Sequence, residues 1–246
     1  MDTAKIIGLV DLTTLQSTDG RKEAHAIAKK ALQLFQRNII PASICVYPTL
    51  VKCVKEITYE TLPIASVSGG FPAGQTSTRI KVDETRYAID QGADEIDMVI
   101  NRAKLIEGDD NFVFDEISQV KEACGCNILK VIIESGDLQS EMLIKKATEI
   151  CIQAGANFVK TSTGKIPIGA TIQSAQWIAE TVLSHYQKSQ HLTGIKLSGG
   201  IANIADAKAF INLITSVLGD NFIQPKLFRI GASKLFDELI SDTINN

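Results

Sequence analysis

Histidine is scarce in this chain. Only three occur in 246 residues. His25 and His185 fall in helical patterns and His191 in a polar loop, which argues against a His-built zinc or iron centre, and no metal is expected. The five cysteines (Cys45, Cys53, Cys124, Cys126, Cys151) are odd in number and lack metal-type spacing. Cys124-Gly125-Cys126 reads as a helix end, and the set fits a chain kept reduced in the cytoplasm. Positive charge is not in excess: 25 Lys and Arg against 28 Asp and Glu give a net charge of −3, so nucleic acid is a poor partner. No window holds the roughly 18 apolar residues of a membrane span. The apolar stretch after Lys5 is cut by Asp11, short of a signal-peptide core. Neither a G-x-G-x-x-G fingerprint nor a Walker string appears, and nothing suggests a partner for a pyridoxal pyridinium nitrogen. No cofactor is expected.

What the chain does have is alternation. At 45% hydrophobic and 22% charged residues it can fill a large core. Short apolar runs alternate with amphipathic helices. The runs are Ile6 to Leu12, Ala42 to Tyr47, Ile64 to Val67, Glu95 to Ile100, Ile128 to Ile133, Asn157 to Lys160, Gly194 to Leu197 and Lys226 to Ile230. The helical stretches between them are Arg21 to Arg37, Thr49 to Thr58 behind Pro48, Val82 to Gln91, Asn111 to Ala123, Glu141 to Ala154, Ile172 to His185, Ile204 to Val217 and Ser233 to Ile240. Eight strand–helix pairs predict a single-domain (β/α)8 TIM barrel over residues 1–246. An open doubly wound sheet has fewer strands and a glycine fingerprint.

Four of the runs carry a charge where a buried strand should be apolar: Asp97, Lys130, Lys160 and Lys196. A lone lysine in a strand commonly snorkels to water. Three on consecutive strands, with an aspartate on the strand before them, are harder to dismiss, because unpaired charges are rarely buried. An internal echo gives a direction. Gly92-Ala93-Asp94-Glu95-Ile96-Asp97 parallels Gly155-Ala156-Asn157-Phe158-Val159-Lys160. Each copy has a glycine suited to end a helix, then a strand. Equal offsets from that glycine predict that Asp97 and Lys160 point the same way. In a barrel, side chains at the C-terminal strand ends meet at one mouth.

Such a set supports amine nucleophilic catalysis. A lysine attacks a carbonyl only as the free amine, so its pKa must fall from about 10.4. Burial lowers it. A second ammonium about 7 Å away adds roughly 2.4 kcal/mol of repulsion at an effective dielectric of about 20. An imine on Lys160 would then stabilise a neighbouring carbanion, while a carboxylate and a second lysine with a water move protons.

Seven strings resemble the deoxyribose-phosphate aldolase family, in order and over nearly the whole chain. They are Asp11-Leu12-Thr13-Thr14-Leu15, Ser43-Ile44-Cys45-Val46-Tyr47-Pro48, Gly92 to Asp97, Leu129-Lys130-Val131-Ile132-Ile133-Glu134, Phe158-Val159-Lys160-Thr161-Ser162-Thr163-Gly164-Lys165, Lys196-Leu197-Ser198-Gly199-Gly200 and Arg229-Ile230-Gly231-Ala232-Ser233. The resemblance implies a class I aldolase on a TIM barrel. Its reaction is reversible cleavage of 2-deoxy-D-ribose 5-phosphate to acetaldehyde and D-glyceraldehyde 3-phosphate, in deoxyribose catabolism. It further implies a homo-oligomer with small-molecule partners only. By family pattern Lys160 matches the Schiff-base lysine, Lys196 the lysine that lowers its pKa, Asp97 the proton-transfer aspartate and Lys130 its support. Asp11 and Cys45 match positions lining the mouth.

Phosphate recognition can be reasoned beside that. Gly199-Gly200 follows the seventh run and Gly231-Ala232-Ser233 the eighth, each before a helix. Barrels often bind phosphate there on backbone N–H groups, although such glycines also serve tight turns. Lys165 and Thr163 are placed to add a cation and a hydroxyl. Leu197, Lys234 and an ending Thr243-Ile244-Asn245-Asn246 without a tyrosine depart from the family pattern; Lys234 is left out of the expected site. Two alternatives stay open: another Schiff-base barrel lyase of transaldolase type, and an idle barrel binding a phosphorylated metabolite.

Overall fold

The computed structural model describes residues 1–59 and 61–245; Glu60 and Asn246 lie outside them, and with Asn246 the end of the tyrosine-free tail. Eight parallel strands close into a barrel in sequence order: β1 (Val10–Thr13), β2 (Ser43–Val46), β3 (Ile64–Ser68), β4 (Glu95–Val99), β5 (Ile128–Ile132), β6 (Phe158–Lys160), β7 (Gly194–Ser198) and β8 (Phe228–Ala232). The helices are α1 (Thr3–Ile7), α2 (Arg21–Ala31), α3 (Val51–Thr58), α4 (Thr78–Asp90), α5 (Arg102–Ile106), α6 (Asp110–Cys124), α7 (Ser135–Leu138), α8 (Glu141–Gln153), α9 (Ile172–Ser189), α10 (Ile204–Leu218) and α11 (Lys234–Asn245). This is the expected (β/α)8 TIM barrel.

Several boundaries differ from the sequence pattern, for local reasons. The first apolar run is not one strand: the Asp2 carboxylate accepts from the Lys5 N–H and starts α1, so Ile6 and Ile7 are helical and β1 begins only at Val10. Helix α4 starts earlier than expected because Ser77 caps it. The eighth strand starts two residues late, since the Leu227 N–H turns back onto the Gln224 carbonyl. Helices α5 and α7 are too short to show periodicity in sequence.

The repeated helix-to-strand joint is built alike in both copies. Gly92 and Gly155 take φ of 102° and 82°, values that favour glycine. The Asp94 carboxylate accepts from the Ile64 N–H and the Lys55 ammonium. Asn157 Oδ1 accepts likewise from the Leu129 N–H and the Lys121 ammonium. One side chain thus ties each new strand to its predecessor, which sets the register that aims Asp97 and Lys160.

The main core lies between strands and helices, where Ile44, Ile64, Ile96, Val131, Val159, Ile195 and Ile230 face outward. The barrel interior is divided. Around β2 and β3 it is apolar, with Cys45, Ala65 and Val67 packed with Leu15. Across β1 and β4 to β8 it is filled with charge. Phe158 floors that half, beneath the Arg229 guanidinium at 5.6 Å from the ring centroid. Gly194 makes room for the ring, since a Cβ there would come within 2.5 Å of it.

Candidate active site

Register brings the charges together. Asp97 pairs with Lys130 across β4 and β5, and Lys160, Lys196 and Arg229 stand in line across β6, β7 and β8. Asp97 is the hub. Its Oδ2 accepts from the Lys160 ammonium at 2.7 Å and the Lys196 ammonium at 2.6 Å, and its Oδ1 accepts from Lys130 at 2.9 Å. The expected common orientation of Asp97 and Lys160 is therefore seen as a direct contact. Asp11 forms a second hub, with Lys196 and Arg229 each at 2.6 Å and Lys130 at 3.0 Å. Glu95 closes the network on Lys130 at 2.5 Å and Arg229 at 3.0 Å.

Charge balance singles out one member. The network holds four cations (Lys130, Lys160, Lys196, Arg229) and three carboxylates (Asp11, Glu95, Asp97). Burial alone would raise Asp11 and Asp97, but the surrounding cations overcome it and hold both well below the usual carboxylate range. Lys130 and Lys196 are driven the other way: burial disfavours their ammonium forms, yet Asp11 and Asp97 raise both. Lys160 alone is lowered. Burial is the largest cause, Asp97 opposes it, and Lys196 pushes the same way as burial. Lys160 as neutral amine leaves three cations on three carboxylates, so the low-dielectric interior keeps no unpaired charge.

The cavity at the C-terminal end of the strands has a volume of about 640 Å³ and is walled by the loops after β1, β6, β7 and β8. Lys160, at 3% exposure, is the one network member in its wall. Thr163, Lys165, Gly199, Gly200, Gly231 and Ser233 all line it, as does Lys234, which lies outside the site expected from sequence. Gly199 has φ of 82°, and a Cβ there would lie 2.5 Å from Ser162 Oγ and 2.9 Å from the Gly169 backbone. Gly231 leaves space for Lys196: a Cβ there would come within 3.2 Å of Lys196 Cε and 2.9 Å of Ser198 Cβ.

Two expectations shift. Asp11 and Cys45 do not line the mouth. Both are fully buried beneath it, on inward positions of β1 and β2. Cys45 Sγ donates to Asp97 Oδ2 at 3.9 Å, and burial with the nearby Asp97 charge pushes its pKa up to about 11. Thr163 has its hydroxyl committed: Oγ1 donates to Glu134 at 2.5 Å while accepting from the Lys165 N–H.

Sequence reasoning missed Glu95 and Arg229. Glu95 stands two residues before Asp97 and so shares its face, and Arg229 is the single charge inside the eighth strand. Both signals are present in the sequence. Among the described residues no group of three or more His, Cys, Asp or Glu is placed to hold a metal ion, and no helix is long and apolar enough to cross a membrane.

Comparison with known proteins bears on this geometry. The DeoC/LacD family aldolase model matches residues 5–218. Human deoxyribose-phosphate aldolase is 36% identical over 96% of this chain and 78% of its own. Among solved structures, the aldolase QR15 superposes with a TM-score of 0.81 at 29% identity, covering 98% of both chains. The tetrameric deoxyribose phosphate aldolase from Aeropyrum pernix shares the fold, with a TM-score of 0.77 at 21% identity over 100% of this chain and 94% of its own.

Proposed function

This chain belongs to the DeoC/LacD family of aldolases, and on that premise we propose that it cleaves 2-deoxy-D-ribose 5-phosphate reversibly through an imine on Lys160. As an aldolase it is not the idle metabolite-binding barrel left open by sequence alone. The observation that carries the reading is that Lys160 alone joins the buried charge network to the cavity, with its pKa lowered by burial and by Lys196.

The chemistry follows from the placement. The Lys160 amine adds to the aldehyde carbon of the open-chain sugar, and loss of water gives the iminium. Proton removal from the C3 hydroxyl breaks the C2–C3 bond. The bond's electrons pass into the iminium to form an enamine, and D-glyceraldehyde 3-phosphate departs. Protonation of the enamine at C2 and hydrolysis release acetaldehyde and restore the amine. Asp97, held by Lys130, and Lys196 flank Lys160 and route these protons through water. The mouth takes the phosphate on the Gly199-Gly200 and Gly231 to Ser233 turns, beside the Lys165 side chain. Asp11 holds Lys196 and Lys130 from below, and Cys45 shapes the wall next to Asp97.

A role in deoxyribose catabolism in the cytoplasm and a homo-oligomeric assembly, tested by light scattering, belong to the same proposal. The activity itself is tested by coupling D-glyceraldehyde 3-phosphate release to NADH oxidation. Release from 2-deoxy-D-ribose 5-phosphate supports the reading. Turnover only with a ketose donor would favour a transaldolase-type lyase instead.

A further inference from the structure

Glu134 is a buried carboxylate outside the network, behind the loop that follows β6. It follows β5 and is fully buried, and it holds φ at 53°, a left-handed backbone that disfavours side chains other than glycine. That conformation turns its carboxylate towards the loop after β6. There it accepts from the Thr163 N–H at 3.1 Å and the Thr163 hydroxyl at 2.5 Å. On its other side stands Arg102 of α5, whose Nη1 reaches Glu134 at 3.4 Å and Asp137 at 2.8 Å. Arg102 Nη2 donates to the Ala73 carbonyl at 2.8 Å, in the loop after β3. The next link is local: the Thr163 hydroxyl, fixed by Glu134, accepts from the Lys165 N–H at 3.1 Å.

We propose that Glu134, clamped by Arg102, is a positioning residue that fixes the Thr163-Gly164-Lys165 rim against the phosphate of the substrate. The inference rests on the phosphate-binding part of the proposed function. Glu134 does not line the cavity, so it acts through the rim: it orders the backbone of Thr163 and Lys165 before the ligand arrives. Without it, the buried Thr163 N–H loses its acceptor and Arg102 loses one of its two carboxylates, so the rim is free to take other conformations. A rim in the binding-competent conformation only about a tenth of the time binds phosphate about tenfold more weakly.

The test is calorimetric titration of the full chain with inorganic phosphate. Glu134→Ala is expected to weaken phosphate binding about tenfold. Glu134→Gln, which keeps an acceptor for the Thr163 N–H but no charge for Arg102, falls between that variant and the original protein. A purely structural Glu134 would lower the thermal midpoint of Glu134→Ala and leave the phosphate affinity of the folded protein unchanged; that result overturns the proposal, as does an original protein that binds no phosphate. Should Glu134→Ala fail to fold, Arg102→Gln is read in the same way, with weaker binding expected and unchanged binding contradictory. Borohydride trapping of acetaldehyde on the same samples keeps the two readings apart. Acetaldehyde carries no phosphate, so trapping in the folded variants should match the original protein. Absent trapping in the original protein would count against the imine and leave the calorimetric result standing.

Discussion

Lys160 and Lys196 share a single oxygen. Both ammonium groups lie on Asp97 Oδ2, at 2.7 and 2.6 Å. They are therefore closer than the roughly 7 Å assumed from sequence, and their repulsion exceeds roughly 2.4 kcal/mol. Yet the two are displaced in opposite directions. Lys196 also holds Asp11 and stays charged, whereas Lys160 has only the shared oxygen and is lowered.

Removing Lys196 should therefore raise Lys160. Lys196→Leu takes away a repelling cation and leaves Asp97 freer to stabilise the Lys160 ammonium, and both changes have the same sign. Imine formation needs the free amine, so its rate rises with pH through the Lys160 pKa. In Lys196→Leu that rise is expected at higher pH than in the original protein. Stopped-flow trapping with acetaldehyde across a pH series reads it; an unmoved profile would contradict the assigned cause.

Asp97 acts in the opposite sense on Lys160. Asp97→Asn removes the charge that favours the ammonium, so the amine is available at lower pH. Proton routing is lost at the same time. The expected outcome is retained acetaldehyde trapping at neutral pH with turnover of the phosphorylated sugar reduced about 10²–10⁴-fold. Parallel measurement of trapping and turnover checks this, and equal losses in both would place Asp97 in imine formation itself.

Charge balance can be tested away from the cavity. Glu95 and Arg229 touch neither Lys160 nor the mouth. Arg229→Met leaves three cations, so the network is balanced only with Lys160 charged, and the trapping profile should move to higher pH. Glu95→Gln should move it lower. Arg229→Met also leaves Asp11 and Glu95 under-compensated, at a stability cost of about 3–5 kcal/mol, read by urea unfolding. Shifts of the same sign in both variants would contradict the balance argument.

Gly231→Ala tests packing against the same lysine. The new Cβ meets Ser198 Cβ and Lys196 Cε, so overpacking should cost about 1–3 kcal/mol and displace Lys196. Reduced turnover with a higher-pH trapping profile is expected. A destabilised variant whose profile is unmoved would show that Ser198 yields and Lys196 does not.

Much of this was legible in the sequence because the barrel has strong periodic signals. The Gly92 and Gly155 echo located Asp97 and Lys160 on one interior, since strand alternation converts equal offset into equal direction. The partners were not legible to the same degree. That Arg229 meets Asp11 depends on closure between β8 and β1, and that it meets Glu95 depends on reach across the barrel to β4, long-range relations that no local pattern encodes. The resemblance puts Asp11 at the mouth, whereas its inward position on β1 buries it beneath, among Lys130, Lys196 and Arg229. Glu134 and Arg102 depend on two short helices, α5 and α7, and on a left-handed residue, none of which has a periodic signature.

The central claim is that Lys160 is the amine that meets the substrate carbonyl. Incubation with acetaldehyde and sodium borohydride, followed by peptide mass spectrometry, tests it most directly. The account predicts N-ethyl-lysine at Lys160, none at Lys130, Lys196 or Lys165, and no trapped adduct in a folded Lys160→Leu variant. An adduct on another lysine with Lys160 unmodified, or undiminished cleavage by Lys160→Leu, would contradict it.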